Sequence, residues 1–507
     1  MIPWIPTNLG DCGVKDMPLI FLLLAPLAEG LICLLLRSRL LMERVSIASA
    51  VINFVLAVIV ARHVGRYQTM SVLNGFLFAD AMSALVVLLT AFVALMCAFY
   101  AVSYLRADLE QARISSGRLK EYYTLTPLFV FAMFLVALAN NLGVMWVAIE
   151  GTTLASVLLI AFYNQKPSLE AAWKYIIIGS IGISLALFGT LLTYYSAAHV
   201  VGIESIEGLN WSRLILEAQK LDPKAMRLAF IFILLGYGTK AGVAPMHTWK
   251  PDSYSEAPVP SAAILAAAVS NCALYGIMRF NVLTSRCLGP DFSGSLLLYF
   301  GIGSMLLAVP FILVQRSIRR LLAYSSIDHT GIMLVGLGIG SSLSSLGTLL
   351  HMVYHAISKP LLFFCAGNVQ QKFQSAHFRR IGGGVINVMP VTGTLFLAVA
   401  LAVTGTPPFC LFQSELTILS ACFQNHNLWV ASIFVGCVVT IFAGFLYHIG
   451  QLNLGSPPRG VPPSESDWWR LGPMLLLAAL VLLLGFWLPS PLYRLIQQAG
   501  QIIESAP

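Results

Sequence analysis

Seven ionisable side chains lie in stretches otherwise nearly as apolar as lipid: Lys174, Lys240, Lys359, Glu29, Asp80, Glu150 and Glu415. Charges at membrane depth are costly and rare, and they mark ion pathways or pair with one another. A buried lysine can hold or release a proton as a carboxylate approaches or retreats. Glu150 stands in LGVMWVAIEGTTLASVLL, deep in its apolar run. Lys240 stands in GYGTKAGVAPMHTW, framed by the helix breakers Gly238, Gly242 and Pro245. A broken helix frees backbone carbonyls and amides, which is tolerated at this depth only inside protein or beside a wet cavity. On facing helices, Glu150 and Lys240 would form a switchable proton-holding pair. The plainer alternative is a set of buried ion pairs that only hold helices together, a role that apolar contacts fill more cheaply.

The second half repeats the device. ALAVTGTPPFCLFQSELTIL (400–419) is broken at Gly405, Pro407 and Pro408 and presents Glu415 a few residues later. Interrupted helices in corresponding positions of two halves point to inverted repeats and to an ion site between them. His329 in AYSSIDHTG, and His351 and His355 in HMVYHAISKPLLFF, lie between the charges, with Lys359 one turn beyond His355. An HxxxH pair can bind metal, but no third ligand or adjacent acid is visible in the sequence. A proton relay through imidazoles that titrate near neutrality is the better reading, with a satisfied core histidine as the bland one for His351. No metal is therefore expected. His247 and Lys250 follow the first break and are expected near its cytoplasmic mouth. Glu150, Lys240, His329, His355, Lys359 and Glu415 form the expected proton path; Lys174, His247, Asn271, His351 and Asp80 are candidate accessories.

The elements that position these groups must be membrane helices. The 507 residues are 58% hydrophobic and only 10% charged, with a mean hydropathy of +0.82; soluble domains carry roughly 25% charged residues. About fourteen apolar runs are each long enough to cross a bilayer. They fall near 17–36, 46–64, 77–104, 124–141, 143–163, 173–196, 226–243, 259–280, 294–314, 321–340, 347–370, 388–420, 428–450 and 471–493. The first is expected to be a retained helix, since no small-residue cleavage site follows it. The expected architecture is an all-α polytopic membrane protein whose seventh and twelfth helices are broken. Helices four to eight and nine to thirteen would be two inverted five-helix repeats. The segments are 1–120 (three helices), 121–285 (first repeat, with Glu150 and Lys240), 286–455 (second repeat, with Lys359 and Glu415) and 456–507 (a last helix).

Basic residues alternate between loops. Arg37, Arg39 and Arg44, then Arg106, Arg113, Arg118 and Lys120, then Arg316, Arg319 and Arg320, then Lys372, Arg379 and Arg380 fall on one side. By the positive-inside rule that side is cytoplasmic, and both termini lie outside. The net charge of +8 then needs no acidic or nucleic-acid partner. Segment 204–227 mixes four basic with four acidic residues; IEGLNWSRLILEAQK suggests an amphipathic helix lying on the membrane. The nine cysteines form no CxxC pair and no cluster with histidine, so neither an iron–sulfur cluster nor a structural zinc is expected. Nucleotide-binding and nucleophile-elbow patterns are missing as well. The chain is expected to carry no cofactor and to catalyse no redox reaction itself.

In their order along the chain, several blocks resemble the antiporter-like membrane subunits shared by respiratory complex I, Mrp-type cation/proton antiporters and membrane-bound NiFe hydrogenases. They are FADAMSALVVLLTAFVALMCAFYAVSYL (78–105), the Glu150 helix, KAGVAPMHTWKPDSYSEAPVPSA (240–262), RSIRRLLAYSSIDHTG (316–331), HAISKPLLF (355–363) and GTPPFCLFQSE (405–415). Within that family EAAWKYIIIGSIGISLALFGT (170–190), NCALYGIMRF (271–280) and the GTPPF…SE ending look most similar to hydrogenase-4 component F. The long lateral helix of one complex I subunit has no counterpart after Tyr493. The resemblance implies a fourteen-helix subunit that moves protons across an inner membrane while other membrane-arm subunits and a peripheral hydrogenase or dehydrogenase module do the redox chemistry. It implies that Glu150 and Lys240 match the fifth- and seventh-helix pair, Glu415 the twelfth-helix acid, and His329, His355 and Lys359 the central polar axis. Two positions depart from the family pattern. Asn271 stands where many relatives have a lysine in the eighth helix, and Lys250 and Ser253-Tyr254 replace the leucine and Ala-His of the common HTWLPDAHSEAP. A secondary Na⁺(K⁺)/H⁺ antiporter and a scaffold with an inactive channel are the competing function classes.

Overall fold

Polar caps punctuate an otherwise apolar chain and set where its helices begin. The computed structural model describes residues 17–201, 206–458 and 460–504. α1 (Met17–Leu35) and α2 (Arg39–Tyr67) lead into a two-stranded hairpin, β1 (Met70–Val72) and β2 (Leu77–Ala79), the one departure from an all-helical chain among the described residues. α3 (Ala81–Glu110), α4 (Ser116–Leu138) and α5 (Leu142–Ile160) follow. Each of these three starts on a side chain that takes an orphan amide of the first turn: Asp80 from Ser83 at 3.0 Å, Ser115 from Arg118 at 3.3 Å, Asn141 from Gly143 at 2.9 Å. α6 (Lys166–Val201) precedes a short α7 (Trp211–Glu217). In place of a continuous amphipathic helix over 206–220, α7 tucks Trp211, Leu214 and Ile215 into the protein.

α8 (Pro223–Ala241) starts on Asp222 with Pro223 in its first turn and ends at Gly242, whose φ is +77°. This left-handed residue lets the Val243 amide return to the Gly238 carbonyl at 2.8 Å, closing the helix end. α9 (Trp249–Glu256) resumes after the break, and α10 (Val259–Ile264) enters a π-turn at Leu265–Val269 and continues as α11 (Ser270–Leu288). Then come α12 (Pro290–Leu313), α13 (Ile318–Ile339), α14 (Ser342–Phe373), the single turns α15 (Phe378–Ile381) and α16 (Val385–Val388), and α17 (Pro390–Val403). α17 stops before Gly405, φ +68°, and α18 (Cys410–Gln424) takes up beyond Pro407 and Pro408. α19 (Leu428–Leu454), α20 (Trp468–Phe486) and α21 (Ser490–Glu504) complete the chain. α21 follows the last apolar run and buries Leu495, Ile496, Ala499 and Ile503, packing against α2, α3 and α14.

Among the described residues, eleven helices are long and apolar enough to cross a bilayer, so the chain is a multi-pass membrane protein. The expected runs not counted among the eleven are occupied by α8 and α13, rich in polar residues, and by the interrupted α17–α18. Residues 1–16 and 505–507, the ends expected on the outer side, lie outside the described residues, as do 204–205. The bundle is layered. α1, α2, α6, α12, α19 and α20 leave most of their apolar windows uncovered, whereas the windows of α10–α11 and of α14 are wholly buried. Uncovered faces carry the large apolar side chains Leu35, Trp173 and Phe486, as lipid contact requires. Helices enclosed by other helices can hold polar groups away from lipid, and α14 there holds His351, His355 and Lys359.

Candidate functional site

The first cluster is built where α5, α6 and α8 meet. Lys240 ends α8, is 5% exposed, and points its ammonium at the Thr153 hydroxyl (2.7 Å) and the Tyr175 hydroxyl (2.6 Å). Thr153 lies one turn beyond Glu150 on α5, and its hydroxyl donates to the Glu150 carboxylate at 2.9 Å. Glu150 and Lys240 therefore face each other as expected, but Thr153 stands between them and they form no direct ion pair. A hydroxyl that accepts from one group while donating to the other can pass a proton between them by rotating. Tyr175, whose ring lies 4.6 Å below the ammonium, also shares a hydrogen bond with Ser156 at 2.7 Å.

The second cluster spans α13, α14 and α18. Lys359 is fully buried and donates to Ser325 at 2.8 Å. One turn back on α14, His355 has its ring 5.3 Å from that of His329. His329 Nδ1 meets His351 Nε2 at 3.0 Å, and His351 Nδ1 meets the Ser414 hydroxyl, also at 3.0 Å. Ser414 precedes Glu415, which is 6% exposed and fits against Gly405; a Cβ there would strike the carboxylate. The second break thus serves the acid directly. From Lys359 to Glu415 the polar groups form one file. His355 has no protein hydrogen-bond partner at either ring nitrogen, nor has His329 Nε2; such buried orphan groups need explaining, and water is an ordinary partner for them.

His329, His351 and Glu415 offer three ligand atoms within 4.8 Å of one another. In the fold an acid thus joins two of the histidines, although the trio holds His329 and not the His355 of the HxxxH pair. α14 holds His351 while α13 and α18 bring the others, so the spacing along one helix could not reveal the set.

Other positions move away from their expected places. Lys174 lies apart from both clusters, near the start of α6. Its side chain is 47% exposed and pairs with Glu170 (2.7 Å) and Asp252 (3.1 Å), because α6 begins seven residues earlier than the apolar run. Asp80 lies outside both clusters, and Arg279 holds it in a bidentate pair at 2.6 and 2.7 Å. Lys250 is not at an open mouth but fully buried, and His247, 6% exposed, turns back to the Pro245 carbonyl at 3.1 Å. Asn271 is buried, and neither of its amide atoms has a protein partner. Glu29 is buried beside Ser46 and Ser49 of α2.

Sequence reading missed Thr153 and Tyr175, whose hydroxyls looked like ordinary helix residues, and Arg279, which closes the expected run 259–280 but lies in the middle of α11. It also passed over Asp328, although that acid neighbours His329 in the quoted motif. Asp328 is 3% exposed, interacts electrostatically with Lys359 and Glu415, and leaves one carboxylate oxygen without a hydrogen bond.

Comparison with known proteins adds a family and a fold. Residues 139–441 match the family described as NADH:quinone oxidoreductase/Mrp antiporter, TM. The chain is 35% identical over 431 residues to a hydrogenase-4 component F homolog of Methylacidiphilum infernorum, covering 85% of this chain and 89% of that one. It is 30% identical to NADH-quinone oxidoreductase subunit N of Desulforudis audaxviator, covering 73% and 76%. Among solved structures, a chain of an archaeal membrane-bound sulfane sulfur reductase superposes with a TM-score of 0.85 at 23% identity, over 96% of this chain and 98% of that one.

Proposed function

Because the chain belongs to the NADH:quinone oxidoreductase/Mrp antiporter transmembrane family, we propose that it is a proton-translocating subunit of a redox-driven membrane complex of the hydrogenase or NADH dehydrogenase kind. It works beside other membrane-arm subunits, and a peripheral module supplies the electron chemistry. The observation that carries this reading is the Glu150–Thr153–Lys240 bridge at a helix break, together with the polar file from Lys359 to Glu415. A proton taken up from the cytoplasmic side is held on Lys240 while Glu150 lies close. Withdrawal of Glu150 by a neighbouring subunit lowers the ammonium's hold on it. The proton then leaves through Lys359, His355, His329 and His351 to Glu415 and the outer side. Moving one charge against 100 mV costs about 2.3 kcal/mol, and a partner charge about 5.5 Å away contributes about 3 kcal/mol at intermediate dielectric. Displacing Glu150 is therefore sufficient in magnitude.

The reading includes fourteen crossings, inverted repeats at 121–285 and 286–455 flanked by 1–120 and 456–507, and both termini on the outer side of a cytoplasmic membrane. A second reading, Na⁺(K⁺)/H⁺ antiport, draws support from the family itself, whose members include Mrp antiporter subunits. Inverted vesicles carrying the assembled complex separate the two. Acidification driven by H₂ or NADH without added Na⁺, lost in Lys240→Ala and in Glu415→Ala, supports the pump. A Na⁺ gradient driving proton movement without an electron donor selects the antiporter, and undiminished energy conservation in both variants leaves only a scaffold.

A further inference from the structure

Between the two clusters lies a gap. Asn271 cannot carry a charge, and α11 holds no lysine, histidine or acid to receive a proton leaving Lys240. Lys250 lies on α9, and α9 packs on one side against α6, which supplies Tyr175 to the first cluster, and on the other against α13, which supplies His329 to the second. Its side chain is entirely buried, and its ammonium donates to the Ala241 carbonyl, next to Lys240, at 2.7 Å. The break at the end of α8 makes room for it. Gly242, already left-handed, has no Cβ, and one placed there would collide with the Lys250 side chain. Gly405 stands in the same relation to Glu415 at the second break. Each interruption thus seats a buried ionisable group, and at the first break that group is Lys250. A charge on Lys250 would act on His247, His329, His355 and Lys359. Tyr254, one turn further on α9, lies under the same ammonium (5.7 Å to its ring) and donates to the Leu265 carbonyl at the start of the π-turn, at 3.0 Å. The unpartnered amide of Asn271 lies just beyond that turn.

We propose that Lys250 is a protonatable station of the relay, carrying protons from the first helix break to the Lys359–histidine file in place of a charge on α11. The proposal rests on the proton-translocating reading. Lys240 in its ammonium form gives up one proton through water to the neutral Lys250 amine, leaving Lys240 neutral and Lys250 charged. Lys250 passes the same proton to the neutral Lys359 amine and returns to its starting state. The positive charge moves with the proton, and no other reactant is needed.

Three variants of the complex test this in inverted vesicles, under whichever of H₂, NADH or an Na⁺ gradient drives the parental complex. Lys250→Arg keeps a cation and a donor for Ala241, yet a guanidinium does not release its proton. We expect it, like Lys250→Met, to lower the initial acidification rate at least fivefold at equal amounts of assembled subunit. Adding Asn271→Lys to Lys250→Met restores a titratable amine on α11 and should recover at least half of the rate. Normal pumping by Lys250→Arg would reduce Lys250 to a prop for the helix end and overturn the proposal, as would normal pumping by Lys250→Met. Should Lys250→Met fail to assemble, Lys250→Arg alone decides. Lys240→Ala is run alongside: if it pumps normally the parent reading fails, whereas its loss beside an active Lys250→Met sinks only the role given to Lys250.

Discussion

Two pairings of opposite charge, Asp80 with Arg279 and Glu150 with Lys240, are built differently. Asp80 and Arg279 bind through two short charge-assisted hydrogen bonds, Asp80 also caps α3, and Arg279 adds a bond to Ser83 at 2.9 Å and stacks over Trp211 with 4.0 Å to the ring. Both carboxylate oxygens and both terminal guanidinium nitrogens there have fixed partners, so neither charge can change without leaving the other stranded. Glu150 and Lys240 never touch. A threonine hydroxyl joins them, the carboxylate is only half-buried, and the ammonium shares itself between two hydroxyls that can each donate or accept. A locked pair fastens helices; a pair bridged by a rotatable hydroxyl can be pulled apart and restored. Burial of a charge is thus insufficient to mark a proton carrier, and the manner of its pairing supplies the distinction.

Substitutions can break that contrast. The largest effect is expected for Lys240→Ala, which should cut proton translocation by the assembled complex more than tenfold while leaving the amount of folded subunit unchanged, measured by vesicle acidification and quantitative immunoblotting. Asp80→Ala should do the reverse. Stranding Arg279 costs about 3–5 kcal/mol, so the subunit should melt earlier in detergent and accumulate poorly, with normal pumping per assembled copy. Equal pumping defects per copy in both variants would erase the distinction. Thr153→Val, which keeps shape and removes the bridge, should slow translocation several-fold, and Thr153→Ser should restore most of it. The smallest effect is expected for Lys174→Ala: its pairs with Glu170 and Asp252 lie at the solvent rim, where such bridges contribute little, so pumping and thermal stability should both stay at parental levels.

The sequence disclosed the membrane helices because apolar runs of twenty residues have no other use, and it disclosed the two breaks because Gly242 and Gly405 stand beside prolines. Glu150, Lys240, His329 and Glu415 were legible as charges or imidazoles in the wrong solvent. Lys174 misled because the apolar run starts after α6 does, so a rim residue looked embedded. Asp80 misled because Arg279, 199 residues away, can be matched to it only once α3 and α11 pack. The polarity of Thr153 and Tyr175 is no rarer than that of any helix hydroxyl, and only the position of Lys240 gives it meaning. Lys250 was visible as a departure from its family's usual leucine, but its depth was not. A residue nine places beyond a helix end is outside or inside according to how the chain turns, and the left-handed Gly242 turns it inward.

The role of the bridged pair is tested most directly by Glu150→Gln in the purified complex, reconstituted in proteoliposomes with an entrapped pH dye and driven by its own electron donor. Glutamine keeps the side chain's size and its contact with Thr153 while removing the charge that holds Lys240 protonated. The expected result is electron transfer that continues while proton uptake into the lumen falls to the level of uncoupled vesicles. Proton uptake at the parental rate in that variant would contradict the mechanism proposed for this chain.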